Sequence, residues 1–196
     1  MMTIRNLERQ WNAKRYPKLL AELLEARPEA GFEFEPHASQ AARVAALLLI
    51  RLEELDQSHV PLADTLLRTL VAMQDADGGW GDPAVTALCL RALFCNHGAG
   101  VTIDRGLAYL ANLQQPGGIW PAAPFRRMPA DPLTSAFILA QLGRQPRFEL
   151  AVRLDDADEW FAQHRPSIGA EAVRAWDRAR ARCAAVAQSG EPAMLS

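Results

Sequence analysis

The sequence predicts an all-α protein, and three observations carry that prediction. Apolar residues recur at helical spacing through most of the chain. Two Gly-Trp turns punctuate the helical stretches at matching positions. Apart from the short Phe32–Phe34 turn, no segment shows the period-two alternation that marks a strand.

Taken in order, Leu19–Leu24 reads as a first helical stretch. Gly31-Phe-Glu-Phe34 reads as the turn after it, and Ser39–Leu55 as a long, apolar-rich second helix. Leu62, Leu66, Leu70 and Met73 then fall on one helical face, as do Leu107, Leu110 and Leu113 further on.

These two stretches open a repeat. Leu70-Val-Ala-Met-Gln74-Asp-Ala-Asp-Gly78-Gly-Trp80 lines up with Leu110-Ala-Asn-Leu-Gln114-Gln-Pro-Gly-Gly118-Ile-Trp120. In both, Gln precedes Trp by six positions and a Gly stands two before the Trp. Asp82-Pro83 opens the next helix in the first copy and Asp131-Pro132 in the second, so that Leu88, Leu90 and Leu93 align with Phe137, Leu139 and Leu142. Asp followed by Pro suits a helix start, because the carboxylate accepts free N–H groups and proline fits the first turn. Glycine supplies the positive φ that ends the preceding helix. Each tryptophan is expected to fold back over its hairpin as an apolar plug.

Downstream, Phe148–His164 and Ile168–Ala187 read as a further helical pair with Pro166 between them. In the last helix Val173, Trp176, Cys183 and Val186 fall on one stripe, expected to be buried. The count is about eight helices in four hairpins.

Gln-x-x-x-Gly-x-Trp between two such helices resembles the QW repeat of squalene–hopene cyclases. The wider superfamily takes in class II diterpene cyclases and the β-subunits of protein prenyltransferases. The structural motif is Gln74, Gly78 and Trp80 in one copy and Gln114, Gly118 and Trp120 in the other. The resemblance implies an α/α toroid, in which about six hairpins close around an apolar cavity. Residues 1–196 then read as a single toroid-like domain. Its repeats lie around 62–94 and 102–142, with degenerate hairpins around 5–57 and 148–187. About four hairpins make a partial toroid, whose open apolar face calls for a homo-oligomer, another protein or an isoprenoid-like ligand to cover it.

The resemblance also directs attention to particular side chains. Its cyclases protonate an alkene or epoxide with an Asp-x-Asp-Asp acid, which must be kept protonated by its surroundings. The nearest segment here is Asp155-Asp156-Ala157-Asp158-Glu159, making Asp156 and Asp158 the candidate catalytic acids. The sequence departs from the family pattern by ending in Glu, and a solvated helix face beside Arg153 is the plainer reading. Prenyltransferase β-subunits bind zinc through Asp-x-Cys and a distant His. No Asp-x-Cys occurs here, and Cys95-x-His97 is the only close Cys–His pair. Asp75 and Asp77 fit turn and cap roles better than a calcium loop, whose closing Glu is missing. No metal and no cofactor is expected.

The two copies differ by a nine-residue insertion between Trp120 and Asp131, within Pro121–Ala130. Loops of this kind on rigid scaffolds carry binding as well as plain surface excursions. Arg126 and Arg127 are candidate anion holders and Phe125 a candidate contact for an apolar tail.

Composition sets outer bounds. The chain has 196 residues, 49% of them hydrophobic and 22% charged, which suits one soluble domain. A net charge of −2 gives no general attraction to nucleic acid or anionic lipid. Three cysteines give no disulfide framework, and there is no signal-peptide core or membrane-spanning run, so a cytoplasmic setting is the default. Only 7% of residues are aromatic, few for a chamber that stabilises carbocations. The expectation is therefore a non-catalytic helical-repeat protein that binds a partner or an apolar ligand. The alternative is a terpene-cyclase- or prenyltransferase-like enzyme.

Overall fold

The structure is a computed structural model that describes residues 37–95, 99–124 and 128–189. The expected helix at Leu19–Leu24 and turn at Gly31–Phe34 lie outside them, as do Phe125, Arg126, Arg127 and His97. The described residues form eight helices and no β-strand. They are α1 (His37–Glu54), α2 (Pro61–Ala72), α3 (Pro83–Cys95), α4 (Gly100–Leu113), α5 (Pro132–Leu142), α6 (Pro146–Ala151), α7 (Leu154–His164) and α8 (Ala170–Ser189). None is long and apolar enough to cross a membrane.

The helix starts follow from local chemistry. Asp82 Oδ1 accepts from the Val85 amide at 2.8 Å, just ahead of Pro83. Asp131 caps α5 by accepting from the Leu133 and Thr134 amides, each at 3.2 Å. Both use side-chain oxygens to satisfy N–H groups that a helix leaves unpaired.

Packing sorts seven of the eight described helices into two sets. Helix α1 packs on α3, α3 on α5, and α5 on α8, giving a row, called the inner row. Helix α2 packs against α1, α4 against α3, and α6 against α4, flanking that row. Helices α3 and α5 sit mid-row, which explains why they are apolar nearly all round: α3 buries every residue from Val85 to Leu90. Arg91 on α3 reaches Gln141 on α5 at 2.9 Å, tying the row together at one end. The core runs continuously from Ala42 on α1 to Trp176 and Ala179 on α8.

Two expectations need correction. Phe148–His164 is two helices, α6 and α7, because Val152 and Arg153 leave helical geometry (φ −127°, ψ 162° and φ −95°, ψ 82°). The buried stripe of α8 runs through Ala172, Trp176 and Ala179, with Cys183 half-buried; Val173 stands beside it and is only partly covered. The side chain of Val186 lies outside the described set.

Candidate functional site

The two Gln-Gly-Trp turns share a common set of hydrogen bonds. Trp80 Nε1 donates to the Leu70 carbonyl and Trp120 Nε1 to the Leu110 carbonyl, both at 2.8 Å. Each indole thus satisfies an acceptor in the last turn of the preceding helix while its ring is almost fully buried. The Trp80 amide donates to Thr86 Oγ1 and the Trp120 amide to Ser135 Oγ, at 3.1 and 2.9 Å. Those hydroxyls in turn donate to the Asp82 and Asp131 carbonyls, each at 2.9 Å. Sequence reading missed Thr86 and Ser135, although the shared signal, a hydroxyl residue four places after Asp-Pro's aspartate, was there to find.

Each turn docks on the start of a later helix. Gln74 Nε2 donates to Gly78 O and Thr102 O, both at 2.9 Å. Gln114 Nε2 donates to Gly118 O and Arg153 O at 2.6 and 3.1 Å, and its Oε1 accepts from the Arg153 amide at 2.9 Å. Gly78 and Gly118 have φ of 95° and 76°. A Cβ at Gly78 would meet the Arg105 carbonyl oxygen at 2.5 Å, and one at Gly118 would run into the Ala157 amide nitrogen. Glycine is required on both counts, backbone angle and close approach.

Asp156 and Asp158 stand on α7, whose first turn carries Asp155 and Asp156 where the helix dipole favours negative charge. Asp156 pairs with Arg153 at 3.5 Å on the surface. Asp158 turns toward α8, accepting from Trp176 Nε1 at 3.1 Å and pairing with Arg180 at 2.7 Å. Burial pushes the Asp158 carboxyl above its ordinary value, while the Arg180 guanidinium and the Trp176 N–H pull it back. The first effect is the direction a proton donor needs; the ion pair works against it. The two carboxylates are therefore held by separate partners, and Asp158 joins α7 to α8 beside the Phe161–Trp176 stack, whose ring centroids are 4.1 Å apart.

The insertion is pinched at its base. Pro121 and Ala130 form an isolated antiparallel bridge, the Asp131 amide donates to Trp120 O at 2.8 Å, and Gln115 Nε2 donates to Met128 O at 2.5 Å. Of the cysteines, Cys89 is buried against α1, and burial pushes its thiol far from ionisation. No group of three or more potential metal ligands occurs among the described residues.

A concave feature lies elsewhere, along the inner row. A cleft of about 590 Å³ is lined by residues from all four inner helices, within the ordinary size range of small-ligand sites. Its apolar wall includes Val85 and Leu88 of α3 and Leu133 and Phe137 of α5. Small residues open it: Ala136 and Ala140 on α5 and Ala175 and Ala179 on α8, each pair one turn apart. Ala84, Thr134, Arg43, Arg178 and Arg182 also line it, with Asp82 the one acid among the described residues. None of these cleft residues was singled out as a site from sequence, because they come from four separate helices.

Comparison with known proteins gives one partial match. Over 112 residues the chain is 35% identical to the drimenyl diphosphate synthase of Streptomyces showdoensis, covering 50% of this chain and 21% of that protein. The match thus spans about a fifth of the relative's length and supports a terpene-cyclase-like relationship. No protein-family profile and no solved structure matches the chain.

Proposed function

We propose that this chain is a partial α/α toroid of QW type that binds an apolar, isoprenoid-like ligand in its inner cleft without carrying out chemistry on it. The observation that carries the reading is the cleft itself. Helices in contact pack at about 8–10 Å, so a straight row would hold α1 and α8 roughly three such spacings apart. A single cleft lined by both favours a curved row, as a segment of a toroid has. The repeated Gln-Gly-Trp turns support the QW assignment, and the partial match supports an isoprenoid-related role. The engagement of Asp156 and Asp158 with their own arginines favours binding over acid catalysis. On this reading the four hairpins form one domain, and the open face is covered by ligand, by a second copy or by another protein.

Native mass spectrometry, with the denatured mass as reference, tests this. Retained isoprenoid-sized adducts, or adducts formed on adding farnesol, are the expected result. A bare chain that takes up no apolar ligand at any concentration would remove the proposal.

The match to a diphosphate synthase favours a second reading, an isoprenoid cyclase or prenyl-transfer enzyme. Asp156 and Asp158 would then be the acids, with Arg126, Arg127 and Phe125 contacting substrate. Turnover of a polyprenyl substrate that is lost in Asp158→Asn would carry this reading. Turnover unchanged in that variant would end the assignment of Asp158.

A further inference from the structure

The cleft has a chemical polarity that the binding proposal does not by itself require. Arg178 and Arg182 are one turn apart on α8, so they project from the same face, the face that also carries Ala175 and Ala179. Arg43 comes from α1, at the other end of the inner row. All three side chains are exposed, and none makes an ion pair or hydrogen bond with a described residue. Their neighbour Arg180, by contrast, is paired with Asp158. Among the described residues Asp82 is the single acid in the lining, and one of its carboxylate oxygens already receives the Val85 amide.

Among the described residues, three guanidinium groups without a partner and one engaged carboxylate give the lining a net positive rim over an apolar floor. Lowered dielectric near apolar walls strengthens the attraction of such a rim for an anion. Guanidinium is also the side chain whose planar donor fork matches phosphate and carboxylate oxygens best. The apolar floor formed by Val85, Leu88, Leu133 and Phe137 suits a hydrocarbon body.

We infer that Arg43, Arg178 and Arg182 form a head-group site, and that the cleft takes an amphiphile with a phosphoryl or carboxylate head and an apolar chain. The inference rests on the proposed use of the cleft for an apolar ligand and adds the head to it. It also places the anion contacts on α1 and α8, apart from the Pro121–Ala130 loop.

The experiment is calorimetric titration of the full chain with three probes: farnesyl diphosphate, farnesol and dodecanoate. The expected result is that farnesyl diphosphate or dodecanoate binds at least about tenfold more tightly than farnesol, with an advantage that shrinks as salt is raised. Arg178→Gln with Arg182→Gln should erase that advantage while leaving farnesol affinity unchanged. Arg68→Gln, an exposed arginine of α2 outside the cleft lining, should change neither. Tighter binding of the diphosphate assigns a phosphoryl head, and equal or tighter binding of dodecanoate a carboxylate head. Equal affinity for all three probes would overturn the head-group site and leave the apolar cleft standing. Failure of all three to bind would overturn both.

Discussion

Gln114 is a side chain used as a piece of backbone. Its amide exchanges two hydrogen bonds with the N–H and C=O of Arg153, while also donating to Gly118. Removing it in Gln114→Ala leaves buried polar groups unpaired, at a cost of about 1–3 kcal/mol. Gln163→Ala, on an exposed face, should change stability by less than about 0.5 kcal/mol. Urea unfolding midpoints check the pair, and equal midpoints would mean the clasp is dispensable. A second contrast uses glycines. Gly118→Ala should lose about 1–3 kcal/mol from its backbone angle alone, before any clash with Ala157. A Cβ at Gly100 meets nothing within 4 Å, so Gly100→Ala should be neutral or slightly stabilising.

Asp158 gives a pH-dependent prediction at the same scale. Its folded-state pKa is raised, chiefly by burial, so the folded state holds the proton more tightly than the unfolded chain does. The Asp158 contribution therefore falls as pH rises from about 3.9, the ordinary carboxyl value, through the folded value. Asp158→Asn should flatten that part of the stability profile. A contribution from Asp158 that rises with pH across this window would show that the Arg180 pair outweighs burial.

At the scale of elements, the sequence made some features legible and hid others for a physical reason. Helix starts at Pro83 and Pro132 were readable because Asp-Pro acts through local hydrogen bonds. The tryptophan plugs were readable too, since a large apolar ring after a glycine turn has nowhere else to go. The break between α6 and α7 was not. Nothing local at Val152–Arg153 is a helix breaker; the backbone leaves the helix where Gln114, far back in the chain, takes over the hydrogen bonds of Arg153. The all-round apolarity of α3 and α5 was visible, but its meaning depends on the inner row. Each is covered by neighbours on two sides within the row, which no period in one helix can reveal.

For the whole molecule, the all-α class and the repeat were open to sequence reading, and the site was not. Motif reasoning drew attention to Asp156 and Asp158 because they are close in sequence, and the structure gives each its own arginine. The cleft instead gathers Arg43, Val85, Ala140 and Arg182, which are far apart in the chain and unremarkable one by one. Their juxtaposition is a property of the row, since helix packing decides which faces meet.

The central claim is that this inner cleft is the binding site, and Ala140 tests it most directly. Ala140 lines the cleft on α5 yet is exposed, so a large side chain there can fill the cleft without entering the core. The measurement is farnesol binding to the native chain and to Ala140→Trp, with unfolding midpoints in parallel. The account predicts a stability change below about 0.5 kcal/mol together with at least about tenfold weaker binding. Equal farnesol affinity in the two proteins would contradict it and move the ligand elsewhere.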